Sequence, residues 1–333
     1  MRLLVLGGTA FLGRAIARLA RAAGHDVTCA ARGVTGEPVD GVTFVRVDRD
    51  NPDGLAPLRE SEFDALVDVS SKPSQVRRAA AELAQRVAHA TYVSTGSVYT
   101  DHTTPHQRAA GAPIFDPAPP EVDDPADMET YGPRKVACEQ AVFDAFGDRA
   151  FICRAGLIIG PEDRTNRFGY WVARLADGGE VLAPGRPEDL VQYVDVRDLA
   201  DWIIRAPSIE LTGVFDGIGA PVSFEHFLTH VGVGVATPVE LIWVDQEFLE
   251  AQRVRPWSGE RSLPLWLPLP DYAGFSSRDV AVSLDAGLAT RDVAETARDT
   301  LRWLHALPEP PSDAGLSRDD EAELLAKWRT RTA

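Results

Sequence analysis

The sequence predicts an α/β protein, built as a doubly wound parallel sheet followed by a smaller C-terminal α/β unit. Three observations carry this. Short apolar runs alternate with helical patterns through the first half, and a glycine turn joins the first run to the first helix. After Gly160 the texture changes, and prolines and tryptophans become frequent.

Strands are expected at Leu3–Leu6, Asp26–Ala30, Thr43–Val47, Ala65–Val69, Thr91–Ser94 and Ala150–Cys153. Helical periodicity runs over Ala10–Ala23, Ser74–Ala88 and Tyr131–Phe146, and Gly24 suits a left-handed cap on the first of these. The stretch "RPWSGERSLPLWLPLPDY", Arg255–Tyr272, fits no period; its many large hydrophobes predict an ordered loop or lid. Residues Ala289–Leu304 read as an amphipathic helix, and Ser317 as the cap of a final one. The expected division is a nucleotide-binding unit over 1–165, rejoined by 190–220. A substrate unit over 166–189 and 221–307 and a linker with a helix over 308–333 complete it.

Composition narrows the classes. The chain has 333 residues, 44% hydrophobic and 25% charged, as ordinary globular proteins do. Its formal net charge of -16 repels a phosphate backbone or an anionic membrane surface, so nucleic-acid partners are not expected. No run of about 18 apolar residues occurs, so no membrane span is expected. Cys29, Cys138 and Cys153 form no CxxC, and no histidine cluster has metal spacing; neither a disulfide framework nor a metal site is expected. With strand-like sequence from the first residues and no signal peptide, the expected location is the cytoplasm.

The opening "LLVLGGTAFLGRAI" sets Gly7, Gly8 and Gly13 between strand and helix, with Ala10 where a glycine is expected. Gly7 takes the tight turn, Gly8 admits a pyrophosphate, and Gly13 lets helix and sheet pack closely. The helix N-terminus supplies free amides to the anion. At the end of the second strand, a carboxylate would select NAD through the ribose 2'-hydroxyl. Here stand Ala31 and Arg32, and Arg32, with Arg14, can clamp a 2'-phosphate instead. NADP(H) is therefore favoured, with NAD(H) still open. Asp48 is a candidate acceptor for the adenine amino group. Further candidate cofactor contacts are Thr9, Phe11, Leu12, Arg49, Ser70, Ser71, Gly156 and Leu157.

In "ETYGPRKVACEQ", Tyr131 and Lys135 stand four apart and share one helix face. Pro133 is tolerated in a first turn, with Thr130 as the expected N-cap. Helix terminus and ammonium together are expected to favour phenolate, lowering a phenol that ordinarily titrates near 10. "YVSTGSVY" ends a strand in the hydroxyls of Ser94, Thr95 and Ser97, which can hold a substrate oxygen against the tyrosine.

Over nearly its whole length the chain resembles an extended, atypical short-chain dehydrogenase/reductase, a Rossmann-type group that includes nucleotide-sugar epimerases and dehydratases. The resemblance rests on the glycine turn, "STGSVY", "YGPRK", "CRAGLIIGP", "VQYVDVRDLADW" and "TARDTLRWL". It implies Thr95 as the family's serine or threonine, Tyr131 as acid/base and Lys135 as ribose-binding lysine. It also implies a helix-mediated homodimer, for which Tyr131–Phe146 is the candidate. Departures qualify the substrate. Gly96-Ser97 replaces the Asp-Glu pair of the dehydratases, Leu157 stands for an asparagine, and Val191 for a diphosphate-binding arginine. Arg164, Arg167, Arg174 or Arg186 are candidates to replace the lost anion ligands.

The expectation is an NADP(H)-dependent carbonyl reductase or alcohol dehydrogenase acting on a small non-nucleotide metabolite. Phe168, Tyr170, Trp171 and the Trp257–Trp266 segment are candidate substrate walls. An epimerase of a sugar or nucleotide-sugar and a non-catalytic binding relative are the alternatives.

Overall fold

A computed structural model describes residues 1–309, 311 and 314–332, so parts of the expected 308–333 segment lie outside the described residues. The first half builds β1 (Arg2–Leu6), α1 (Phe11–Ala22), β2 (Asp26–Ala31), β3 (Thr43–Arg46) and β4 (Phe63–Asp68). It continues with α2 (Pro73–Leu83), β5 (Val87–Thr95), α3 (Tyr131–Phe146) and β6 (Ala150–Ala155). A later strand, Gly213–Gly217, pairs with β6 and completes a seven-stranded sheet in the order Gly213–Gly217, β6, β5, β4, β1, β2, β3. Every pairing in it is parallel.

The strand run "LLVL" shows why the sheet is covered twice. Leu3 and Val5 face one core with Ile16 of α1 and Trp202 of α5 (Val196–Arg205); Leu4 and Leu6 face the other with Val76 and Leu83 of α2 and Cys138 of α3. Strand order reverses between β1 and β4, and that switch point opens a crevice at their carboxyl ends. All three cysteines are buried and free.

The expected helix over Ser74–Ala88 ends early. α2 stops at Leu83, Arg86 N–H closes a turn on Leu83 O (2.9 Å), and Val87 already pairs with Phe63. The alanine-rich pattern continues the helical period, but the register with β4 claims these residues for the sheet.

A second core gathers α4 (Arg167–Ala176), helices Phe224–Val235 and Val293–Ala306, and strand Gly179–Pro184 paired in parallel with Val239–Val244. Arg255–Trp257 and Ser262–Pro264 form a short parallel pair, so the period-free stretch is ordered. Ser317 Oγ accepts from Asp320 N–H (3.0 Å) at the start of the final helix, Arg318–Thr332. From that helix Glu321 reaches inward, bound by Arg174 Nε (2.6 Å) and Leu182 N–H (3.0 Å). Among the described residues no helix is long and apolar enough to cross a membrane.

A buried polar seam joins these layers. Glu139 of α3 receives Arg154 of β6 in a fork, Nε at 3.0 Å and Nη2 at 2.7 Å, and also accepts from Ser94 Oγ of β5. Arg154 Nη1 donates to Tyr99 OH (3.4 Å), Tyr99 OH to Asp216 (2.7 Å), and Arg278 Nε to the same carboxylate (3.0 Å). Gln192 then holds Arg278 through backbone bonds of 2.8 and 3.0 Å. Burial raises the Asp216 carboxyl, against the pull of Arg278 and Tyr99.

Removing one member of a buried pair strands the other's charge, which costs about 3–5 kcal/mol. Arg154→Met is expected to lose about that much in urea unfolding. The double variant Arg154→Met/Glu139→Leu should recover part of it, because the orphaned carboxylate is gone.

Candidate active site

The glycine turn lies at the switch point. Gly7 takes φ +96°, and a Cβ on Gly13 would stand 2.3 Å from Gly7 O, so only glycine lets α1 close on the turn. Gly8 has a packing role as well. Its missing Cβ makes room for Cys29 Sγ, 2.6 Å from where that Cβ would stand, so it is needed for packing on β2. Ala10 precedes α1 at φ −138°, extended backbone that any residue adopts, which explains why no glycine is required there. The left-handed conformation falls instead on Phe11, at φ +30°. No side chain caps α1, and its first residues, Phe11, Leu12 and Gly13, line the crevice with their free amides.

On one side of the turn lies a cavity of about 420 Å³ walled by Gly7, Thr9, Arg32, Arg49, Ser70 and Ser71, among others. Arg49 is held there by Asp68 at 2.8 Å, both buried. Arg32 reaches the cavity, and no ion pair among the described residues engages its guanidinium. Thr9 Oγ1 meets Thr35 Oγ1 at 3.1 Å. Two expectations change. Arg14 does not join Arg32, because Glu162 (3.3 Å) and the Glu37 carbonyl draw it over the surface. Asp48 is exposed outside the cavity wall, its carboxylate accepting from Asp50 N–H (3.0 Å) in a local turn.

On the other side a cavity of about 730 Å³ brings together Thr95, Ser97, Tyr131, Lys135, Gly156 and Leu157. Thr95 ends β5; its Oγ1 accepts from Ser97 N–H (3.2 Å) and donates to Ser97 Oγ (3.3 Å), and it stands close enough to the Tyr131 phenol to favour the phenolate. Gly132 makes that meeting possible, since a Cβ there would stand 2.4 Å from Ser97 O. The sequence offered a signal for it in "TYGPRK", where glycine follows the tyrosine directly. Thr130 precedes α3 without capping it; its hydroxyl donates to Asp127 (2.9 Å) and accepts from Arg134 Nε (3.2 Å).

The electrostatics depart from expectation. Burial raises the Tyr131 phenol above its ordinary value, and Thr95, Arg134 and Arg167 offset this only in part. Lys135 lies on the same helix face and lines the same cavity, but its ammonium is already engaged by the backbone. Nζ donates to Val93 O (2.6 Å) and Ser70 O (3.0 Å) and stands 4.3 Å from the Tyr92 ring centroid. Burial pushes it down to about 8.

Trp257, Leu267, Tyr272 and Phe275 form the far wall, with Arg167 and Met128 at its edge. Phe168 and Trp171 do not reach it. Both are fully buried in the second core, and Trp171 Nε1 donates to Pro264 O at 2.7 Å. Tyr170 is also buried there. Aromatic residues at helical spacing served the core.

A parallel sheet with a glycine turn at its switch point, open helix amides and cavities to either side define a dinucleotide-binding enzyme scaffold, and the donors present fit such a group. The chain belongs to the NAD dependent epimerase/dehydratase family, whose model matches residues 3–208. It is similar to the 2'-dehydrokanamycin reductase of Streptomyces kanamyceticus, 29% identical over 194 residues, covering 55% of this chain; the chain spans about half, 51%, of that relative. In fold it is similar to the Bordetella bronchiseptica enzyme WbmH in complex with NAD+, with a TM-score of 0.64 at 16% identity, over 92% of this chain and 99% of that one. It is also similar to the UDP-glucose 4-epimerase of Thermus thermophilus in complex with NAD, with a TM-score of 0.62 at 20% identity and the same two coverages.

Gly13→Ala forces its methyl into a backbone carbonyl, and overpacking of this kind costs about 1–3 kcal/mol. Thermal melts should show that loss, and dinucleotide titration a fall in affinity of at least tenfold. Lys135 gives a pH signature. Between about pH 8 and its ordinary value of 10.5 the folded chain holds fewer protons than the unfolded chain, so this residue makes stability rise with pH. In urea unfolding across that window, wild type should gain stability relative to Lys135→Met.

Proposed function

We propose that the chain is an NADP(H)-dependent oxidoreductase interconverting a carbonyl and an alcohol on a small metabolite that carries no nucleotide. The observation that carries this reading is the meeting of Tyr131 and Thr95 in one cavity wall, near enough for the hydroxyl to act on the phenol, beside the open amides of α1. In this reading 1–165 with 190–220 form the nucleotide unit, and 166–189 with 221–307 the substrate unit.

A nicotinamide dinucleotide, when bound, supplies or accepts the hydride. Thr95 holds the substrate oxygen by its hydroxyl and sets it against the phenol. The Tyr131 phenol is protonated at neutral pH and so holds the proton that a developing alkoxide needs, although burial makes that proton harder to release. Lys135 has spent two of its three N–H donors on Ser70 and Val93; the third is left for a ribose hydroxyl. Arg32 stands on the wall of the smaller cavity in no ion pair of its own among the described residues, and the nearby Asp50 carboxylate is engaged by Lys72 at 2.7 Å, which supports selection of a 2'-phosphate by Arg32.

The substrate class follows from what the walls lack. Val191 and Leu157 stand where the resembled nucleotide-sugar enzymes place polar diphosphate ligands; Val191 is buried in the second core, and Leu157 presents an aliphatic surface to the cavity. The similar Streptomyces protein is named a reductase, which supports the redox direction. Net charge and buried free cysteines support a reducing cytoplasmic setting without nucleic acid.

Fluorescence titration should give NADPH a higher affinity than NADH, and Arg32→Ala should erase that preference. In a ketone panel followed by NADPH oxidation, Tyr131→Phe should lower kcat by about 10²–10⁴ without unfolding the chain. Purified chain that retains its dinucleotide and interconverts a stereocentre without added NADPH would establish an epimerase instead.

A further inference from the structure

Four arginines stood as candidates to replace missing anion ligands, and the structure separates them. Arg174 is buried against Glu321 at 2.6 Å, and Arg186 is an exposed partner of Asp189 at 2.9 Å. Arg164 is exposed and off the cavity wall. Arg167 lines the cavity that holds Tyr131 and Thr95.

Its setting is that of a cation held in place for something else. Nε donates to Thr165 Oγ1 (3.2 Å), and Cζ lies 4.9 Å from the Trp257 ring centroid. These two contacts fix the plane of the fork, and no ion pair among the described residues engages it. The neighbouring carboxylate, Asp163, is buried and turned to Thr165, whose N–H and Oγ1 both donate to it at 2.9 Å. Burial weighs against the Arg167 charge, and Asp163 and Tyr131 offset this only in part. A guanidinium keeps its charge regardless, so it stands partly buried and undercompensated. The same cavity is lined by Asp163 and Thr165 and by the apolar or aromatic Trp257, Leu267, Tyr272 and Phe275. The other cation, Lys135, already serves two backbone carbonyls.

We propose that Arg167 sets substrate specificity, and that the substrate offers it one oxyanion, a carboxylate or phosphate monoester, on an otherwise apolar ring-sized body. This rests on the reading of the Tyr131 cavity as the substrate site. A diphosphate would bring a second charged group, for which the cavity lining offers no second guanidinium.

Calorimetric titration of the NADP+-saturated full chain with benzoate, phenyl phosphate and the neutral benzamide tests it. At least one anion should bind ten times more tightly than benzamide, and the preferred one names the oxyanion. Arg167→Gln should erase that discrimination while leaving NADP+ affinity within twofold, and Arg167→Lys, which keeps charge without the fork, should retain part of it. Equal binding of benzamide, no binding of either anion, or discrimination that survives Arg167→Gln overturns the assignment and leaves the cofactor reading standing. Failure of the wild-type chain to bind NADP+ overturns the parent reading and this one with it.

Discussion

The fork between Glu139 and Arg154 fixes the geometry on which the rest of the molecule depends. Tyr131, Lys135 and Glu139 follow at successive turns of α3, so anchoring Glu139 to β6 sets both the height and the rotation of the helix. The same carboxylate takes Ser94 Oγ, which ties down the strand that presents Thr95 one residue later. Phenol and hydroxyl meet because both supports hang from one buried charge. Burying ions is expensive, and such a pair is weak as a source of stability; its value here is to exclude neighbouring registers.

The seam continues where the fork ends. Through Tyr99, Asp216 and Arg278 it reaches Gln192 and the segment after Phe275, so the far wall of the cavity is positioned by the same chain of bonds. Arg278 also lies over the Tyr99 ring, its Cζ 3.5 Å from the centroid, which makes the aromatic a spacer between two guanidinium groups. The seven-stranded sheet and the far wall of the cavity are thereby joined by one chain of polar bonds, although the hydrophobic cores on either side are separate.

The elements legible in the sequence were those whose period matched their burial. "LLVL" followed by a 3.6-residue period gave β1 and α1, and Tyr131–Phe146 has the bounds its pattern announces. The α2 boundary was not legible, because alanine suits a helix and only pairing with β4 decides where the strand begins. In the site, Thr95, Ser97 and Tyr131 were legible as motifs, since neighbours in sequence remain neighbours at a strand end or helix start. What a side chain meets was not. Lys135 shares a face with Tyr131 yet its ammonium is engaged by two carbonyls, and Arg14 turns to Glu162, a residue far along the chain. Phe168 and Trp171 carry the same periodicity as a ligand wall, and only the packing of the second core shows that they fill it. The phenol's direction needed burial, which no motif records.

The final helix bears on the cavity although it never touches it. Glu321 clasps Arg174 and the Leu182 amide, and Arg174 lies on the helix whose first residue is Arg167. A copy of the chain shortened before Arg318 would leave that guanidinium and that amide facing a vacated groove. Arg174 would keep the Gly178 and Glu180 carbonyls but lose its carboxylate partner. The tail thus braces, through Arg174, the helix that opens with Arg167, a residue of the cavity wall.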